Sequence, residues 1–211
     1  MTVNTVIVRQ LGLQDYQNSW QAMRQFTQQR DENTDDEIWL LEHPPIFTQG
    51  QNGKPENVLD PDKIPVVQTD RGGQVTYHGP GQLIAYTLVD LNRKKLTVRD
   101  LVTRLEQSVI DLLADYKTIA VAKREAPGVY VNNKKICSIG LRIRRGCSFH
   151  GLALNVAMDL SPFSRINPCG FKALEMTQLC DIEKNTDVRK TGLKLVEYLI
   201  KNLGYTRFYG K

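Results

Sequence analysis

The stretch GVYVNNKKICSIGLRIRRGCSFHGLALNV, residues 128–156, decides the fold. It contains three runs that are typical of β-strands, at residues 129–131, 135–143 and 148–156. Asn132-Asn133 separates the first two runs, and this dipeptide suits a tight hairpin turn because asparagine tolerates left-handed backbone. The stretch therefore predicts consecutive strands that are joined by hairpins.

Hydrophobic spacing on both sides of this stretch predicts further elements. Apolar residues three and four positions apart predict helices over residues 13–29, 98–116 and 187–203. Thr97 and Asp100 form a capping-box pattern at the start of the second helix, and Gly204 is placed to end the third. Strands are predicted at residues 37–42, 64–69, 82–89 and 118–122, and a long surface loop at 49–63.

The order of these elements predicts the fold class. Helices lie near the start, the middle and the end, strands cluster between them, and strict β–α alternation is missing. We therefore expect an α+β (mixed α/β) fold in which helices pack on a mixed or antiparallel sheet. The 211 residues suit a single domain over residues 1–211, and the 41% hydrophobic and 24% charged residues exclude a disordered chain.

Composition also limits where the protein works and what it binds. The longest uninterrupted apolar run is four residues, as at 83–86, so we expect no membrane-spanning segment. Residues 1–8 lack a secretory pattern, which favours a cytoplasmic chain. The net charge of +5 permits nucleic acid or an acidic protein as partner, but the basic residues are scattered and match no nucleic-acid-binding motif. The missing motif disfavours nucleic acid, and we expect none, whereas the positive charge suits an acidic protein partner equally well.

The densest functional signal is the glycine-rich segment RGGQVTYHGPGQ, residues 71–82. Its spacing matches neither a P-loop nor a dinucleotide-binding fingerprint. A turn-rich connection between strands would explain the glycines alone. The Arg, Thr, Tyr and His side chains beside them favour a binding loop, because glycine lets a ligand approach the backbone closely.

The four cysteines have different predicted roles. Their spacing favours neither a disulfide framework nor a zinc site. Cys169 lies between a proline and a glycine, so we expect it at a loop tip, where a nucleophile is useful. Cys137 lies in an apolar strand and is predicted to be buried, Cys180 is predicted to be core, and Cys147 is placed at a hairpin tip.

A reactive thiol needs a neighbouring group that favours its ionised form. Lys135, His78 and His150 are the candidates, and spacing alone does not choose between them. Lys135 is unusual because it begins an apolar strand, where a lysine loses hydration and its pKa falls.

Three blocks of this sequence closely resemble the lipoyl(octanoyl) transferases of protein lipoylation. The blocks are RGGQVTYHGPGQ at residues 71–82, GVYV with KICSIG at 128–140, and HGLALN with NPCG at 150–170. The resemblance implies the fold of biotin and lipoate protein ligase catalytic domains. It also implies transfer of an octanoyl (or lipoyl) group from octanoyl-acyl carrier protein to a lysine of lipoyl domains, in E2 subunits of 2-oxoacid dehydrogenases and in the glycine cleavage H protein.

The same resemblance assigns roles to individual residues. It implies that Cys169 carries the acyl group as a thioester and that Lys135 lowers the pKa of this thiol and relays protons. It implies an acyl pocket formed by Arg71, Gly72, Gly73, Gln74, Val75, Thr76, Tyr77, His78, Ser138, Ile139, Gly140, Gly151, Leu152 and Ala153. It implies no metal and no cofactor, since acyl carrier protein supplies the acyl group as a phosphopantetheine thioester.

Two alternatives remain at this stage. An ATP-dependent lipoate or biotin protein ligase would share the fold but would need nucleotide contacts and no acylated cysteine. A non-enzymatic nucleic-acid-binding module is permitted by the positive charge. Short basic clusters at residues 93–95, 123–124 and 142–145 could instead steer acidic protein partners, or be ordinary solvated charges.

Overall fold

The computed structural model describes residues 4–168 and 174–210. The α-helices of these residues are α1 (Tyr16–Gln29), α2 (Leu91–Lys94), α3 (Val98–Ala114) and α4 (Val188–Leu203). Their β-strands are β1 (Thr5–Leu13), β2 (Asp36–Glu42), β3 (Ile46–Gln49), β4 (Val66–Gln68), β5 (Val75–His78), β6 (Gln82–Leu88), β7 (Val121–Ala122), β8 (Gly128–Val131), β9 (Lys134–Arg144), β10 (Cys147–Asn155) and β11 (Arg207–Gly210). None of the helices within this described part is long and apolar enough to cross a lipid bilayer.

The described strands form two sheets. The larger has eight strands in the order β11-β1-β2-β6-β10-β9-β8-β7, and the smaller has the order β4-β3-β5. The β11-β1-β2 strands run parallel, whereas the pairs from β2 to β7 are antiparallel. The predicted mixed α/β class, with helices on a mixed sheet, is therefore confirmed.

The two faces of the large sheet are covered differently. Helices α3 and α4 pack on one face, where Leu105 and Leu195 share a buried cluster with Leu152 of β10. Helix α1 packs on the other face, where Met23 meets Ile84 of β6. Strand β5 of the small sheet faces β9 and β10 on this second side. The functional cavity described below lies between the two sheets.

Several local predictions are confirmed in detail. Asn132 and Asn133 form the β8–β9 turn with φ of 48° and 65°. The side chains of Thr97 and Asp100 form the capping box of α3. Gly204 ends α4 with φ of 71°, in the left-handed region that favours glycine.

Other elements differ from the prediction. The first helix was predicted to begin at residue 13, but Leu13 ends strand β1, and α1 begins at Tyr16 because Asp15 caps it. Strands β1, β3 and β11 were not predicted. All four residues of β11 are exposed, so its sequence carries no hydrophobic pattern, and only its pairing with β1 defines it as a strand.

Candidate active site

A cavity lies where β9 and β10 carry small residues on the face that is turned to the small sheet. Ser138 is paired with Ala153 and Gly140 with Gly151, so the two strands carry only small side chains here, and the side chain of Arg71 lies against Gly140. The complete lining consists of Tyr16, Arg71, Gly72, Gly73, Gln74, Val75, Thr76, His78, Ile84, Tyr86, Ser138, Ile139, Gly140, His150, Gly151, Leu152 and Ala153.

The structure brings together nearly all of the residues that were predicted to form an acyl pocket. Those on the glycine-rich segment, on β9 and on β10 line this one cavity, except Tyr77. Side chains alternate along β5, so Tyr77 faces away from the cavity. Its ring packs instead against Phe47 and Phe163, each with ring centroids 5.5 Å apart.

Arg71 attaches the glycine-rich segment to strand β3 of the small sheet. Its Nη2 donates hydrogen bonds to the carbonyl oxygen of Thr48 at 2.5 Å and to the Oγ1 of the same residue at 2.9 Å. A Cβ on Gly140 would lie 3.2 Å from Cδ of Arg71, so the glycine gives this buried arginine its room. The next residue, Gly72, donates its N–H to the carbonyl oxygen of Leu141 at 2.8 Å.

Two buried histidines and two tyrosines form an aromatic group beside the cavity. His43 lies 2.6 Å from the hydroxyl of Tyr86, and the ring of Tyr16 packs against both His43 and His78. Burial lowers the pKa of His43 to about 4 and that of His78 to about 3. Both imidazoles are therefore neutral near pH 7 and supply no positive charge for a thiolate. Sequence reasoning missed His43 because no motif surrounds it.

His150 makes a different contact. Its Nε2 lies 2.9 Å from Oδ1 of Asp70, and the same oxygen accepts a hydrogen bond from Nε1 of Trp20 at 2.7 Å. Burial lowers the pKa of His150, although Asp70 opposes this shift. Asp70 precedes the glycine-rich segment and was not among the predicted site residues.

Lys135 is fully buried at the start of β9, as its apolar setting predicted. Its N–H donates to the carbonyl oxygen of Glu175 at 2.8 Å, and its own carbonyl accepts from the N–H of Thr177 at 3.0 Å. Its Nζ lies 5.4 Å from the ring centroid of Tyr130, within cation–π range.

Gly128 makes room for the Lys135 side chain. Its φ is 138°, and a Cβ there would lie 2.6 Å from Cε of Lys135 and closer still to the carbonyl oxygen of Cys137. The N–H of Gly128 donates to Oε1 of Glu106 at 3.0 Å, and this α3 carboxylate is itself buried. Lys135 and a buried carboxylate thus lie against the same glycine.

The predicted nucleophile, Cys169, lies outside the described residues. Cys137 is buried, as predicted, and burial raises the pKa of its thiol to about 12, which makes it inert. The hairpin tip predicted for Cys147 belongs to Arg145 and Gly146, and Cys147 is the buried first residue of β10. Cys180, predicted to be core, is only partly buried.

Two cations of the basic cluster at residues 93–95 contact neighbouring side chains. Arg93 forms an ion pair with the buried Asp36 at 2.7 Å, and Nζ of Lys94 lies 3.6 Å from the Tyr205 ring centroid. These two cations therefore have structural contacts. Within residues 4–168 and 174–210, no group of three or more His, Cys, Asp or Glu side chains could hold a metal ion.

Comparison with known proteins identifies the family. Residues 15–200 match the lipoyl protein ligase A/B catalytic domain. The octanoyltransferase of Shewanella amazonensis is 58% identical over 205 residues, which cover 97% of this chain and 95% of that protein. The octanoyltransferase of Histophilus somni strain 129Pt is 59% identical over 212 residues, which cover 97% of each chain.

Solved structures with low sequence identity share the fold. A bipartite lipoate protein ligase from Thermoplasma acidophilum has a TM-score of 0.77 at 14% identity, covering 98% of this chain and 86% of that one. The biotin protein ligase of Aquifex aeolicus has a TM-score of 0.58 at 13% identity, covering 94% and 70%. These structures show the fold, and the domain match together with the sequence relatives shows that the chain belongs to the lipoyl protein ligase A/B catalytic-domain family, as one of its octanoyltransferases.

Proposed function

We propose that this octanoyltransferase carries the octanoyl group on Cys169 as a thioester, with Lys135 as its proton-transfer partner. The donor is octanoyl-acyl carrier protein, and the acceptors are lysines of lipoyl domains in E2 subunits and in the glycine cleavage H protein. The observation that carries the proposal is the fully buried Lys135, which lies on the strand that lines the cavity, three residues before Ser138.

The described chain on both sides of Cys169 supports this pairing. On the carboxyl side, Glu175 and Thr177 hydrogen-bond to the backbone of Lys135 itself. On the amino side, the N–H of Asn167 donates to the carbonyl oxygen of Asn57 at 2.8 Å. The side chain of Asn57 in turn donates to Oε1 of Gln74, a cavity residue, at 2.9 Å. The described residues that flank Cys169 in the sequence thus contact Lys135 on the carboxyl side and a residue of the cavity rim on the amino side.

The chemistry proceeds in two half-reactions. In the first, the Cys169 thiol gives its proton to the Lys135 amine, and the thiolate attacks the thioester carbonyl of the donor. The phosphopantetheine sulfur leaves and takes that proton. In the second, the neutral amine of the acceptor lysine attacks the Cys169 thioester, Lys135 accepts the amine proton, and the Cys169 sulfur leaves to be reprotonated. Such acid–base assistance typically contributes about 10²–10⁴-fold in rate.

The cavity supplies a site for the acyl chain. Ile84 gives it an apolar wall, and the small side chains of Ser138 and Ala153 leave space along the strands. The donor is already an activated thioester, so the reaction proposed here uses no ATP and no cofactor. An ATP-dependent ligase on the same fold is the alternative, and it predicts that a free fatty acid is used only with ATP.

Intact-mass analysis tests the covalent intermediate. After mixing with octanoyl-acyl carrier protein, the wild-type chain is expected to gain one octanoyl group, and apo H protein is expected to remove it. Cys169→Ala should gain none, whereas Cys137→Ala should still be acylated because Cys137 is buried and unreactive. An acylated Cys169→Ala protein, or transfer without any adduct, would exclude Cys169 as the carrier.

Lys135→Met tests the proton-transfer partner. Methionine keeps the apolar stem but loses the amine, so we expect acyl-enzyme formation to slow by about 10²–10⁴-fold. The pH dependence of Cys169 alkylation, measured with the other cysteines replaced, should move to higher pH because a neighbouring cation is lost. Unchanged alkylation would show that Lys135 does not act on the thiol.

A further inference from the structure

The pairing of β9 with β10 gives the cavity a direction. Ser138 opposite Ala153 forms one rung of the ladder, here called the near rung, and Gly140 opposite Gly151 forms the far rung. Lys135 precedes the near rung by three residues on the same strand. An acyl chain whose carbonyl lies by Lys135 therefore extends from the near rung towards the far rung.

His150 lies immediately beyond the far rung, and its backbone is unusual. Its φ of 60° is in the left-handed region, which costs a residue other than glycine on the order of 1–3 kcal/mol. Side chains alternate along a strand, so His150 would ordinarily face away from its neighbour Phe149. The positive φ turns the imidazole to the cavity side, where the two rings stack with centroids 5.1 Å apart.

Hydrogen bonds hold the imidazole across this end of the cavity. Asp70 joins His150 of β10 to Trp20 of α1, at 2.9 Å and 2.7 Å. The hydrogen bond from Gly72 to Leu141 closes the β9 side at the same level, since Leu141 is the register partner of His150. Strain and hydrogen bonds together hold the imidazole at this end of the cavity, next to the side chain of Arg71, which lies against Gly140 of the far rung.

The position of this imidazole fits the length of the substrate. An extended octanoyl group measures roughly 9 Å from its carbonyl carbon to its methyl carbon, given C–C bonds of about 1.5 Å. Three strand residues, from Ser138 to Leu141, span roughly 10 Å. A chain with two or four more carbons would have to displace His150 or break its bond to Asp70.

We propose that His150, held by Asp70, is the end wall of the acyl cavity and sets the longest acyl chain that the enzyme accepts. The inference rests on the proposed function, because the carbonyl position near Lys135 gives the cavity its direction. It makes His150 a specificity-determining residue at the far end of the cavity rather than a partner of the reactive thiol.

A competition experiment tests whether His150 limits the length of the acyl chain. The chain is mixed with equal amounts of octanoyl- and dodecanoyl-acyl carrier protein, and the two adducts are separated by intact mass. His150→Gly removes the ring and adopts the positive φ without strain. We expect the dodecanoyl-to-octanoyl adduct ratio to rise at least tenfold over wild type. Cys147→Ala, at the start of the same strand, should leave the ratio unchanged.

A second variant changes the β9 side of the same far end of the cavity. A Cβ at residue 140 would lie 3.2 Å from Arg71 and narrow the far rung, so Gly140→Ala should favour hexanoyl over octanoyl donor several-fold. A folded His150→Gly protein with the wild-type ratio, or with equal losses for all chain lengths, would overturn the inference, as would an unchanged preference in Gly140→Ala. If wild type forms no adduct with any donor, the proposed function fails instead.

Discussion

At the residue scale, Gly128 lies against two buried titratable side chains, Lys135 and Glu106. Burying a carboxylate costs free energy unless it is hydrogen-bonded or paired. The N–H of Gly128 donates a hydrogen bond to the carboxylate of Glu106 and so offsets part of that free energy. The missing side chain of Gly128 gives the stem of Lys135 its path. Neither role is visible in the sequence, because both depend on α3, β8 and β9 coming together.

Gly128→Ala should therefore affect both stability and activity. The new Cβ would meet Cε of Lys135 at 2.6 Å and force φ of 138° on an alanine. We expect a loss of about 1–3 kcal/mol in the free energy of unfolding and at least a tenfold loss of octanoyl transfer, measured by urea unfolding and by the acyl-transfer assay.

Gly204→Ala is the matched control for that substitution. It also has a positive φ, 71°, but no atom lies within 4 Å of the new Cβ. It should cost about 1 kcal/mol of stability and leave transfer unchanged. Equal activity of the two alanine variants would show that Gly128 does not position Lys135.

At the element scale, predictions succeeded where the signal is local. The capping box of α3, the Asn132-Asn133 turn and the end of α4 at Gly204 each depend on residues within one turn, and all three are confirmed. Strands β1 and β11 depend on pairing between the two ends of the chain, so their sequences alone did not define them.

The capping box gives an element-scale prediction. Thr97→Ala removes the side chain that accepts a hydrogen bond from the N–H of Asp100, so α3 should lose about 1 kcal/mol of stability. Thr103→Ala, the same change at an exposed position inside α3, should be neutral or slightly stabilising because alanine favours helix. Denaturant unfolding distinguishes the two, and equal effects would contradict a capping role.

At the scale of the whole molecule, the site is assembled from distant parts of the chain. The glycine-rich segment and the β9 and β10 residues were assigned from family resemblance, and they do line one cavity. Tyr16, His43, Asp70 and Glu106 carry no motif, and only the packing of α1, α3 and the two sheets brings them to the site. The sequence motifs therefore predicted residues that line the cavity, whereas the residues that hold this lining in place could not be predicted from the sequence.

The chain's three histidines are all buried, which ties stability of the whole molecule to pH. An unfolded histidine has a pKa near 6.5, whereas burial lowers the pKa of His43 to about 4 and that of His78 to about 3. Below pH 6.5 these imidazoles therefore bind protons in the unfolded chain but not in the folded chain. Stability is full above pH 6.5 and falls as the pH drops towards the folded pKa values.

Each such histidine should remove about 1.4 kcal/mol of unfolding free energy per pH unit within this window. We expect denaturant unfolding at pH 6.5, 6.0, 5.5 and 5.0 to show that His43 and His78 together take up about one proton on unfolding at pH 6.5 and about two at pH 5.0. His78→Gln, which can still hydrogen-bond, should reduce the uptake at pH 5.0 by about one proton because it removes one buried imidazole. A free energy of unfolding that stays constant from pH 6.5 to 5.0 would mean that these histidines are protonated in the folded chain, and a charged group would then face the cavity proposed for the acyl chain.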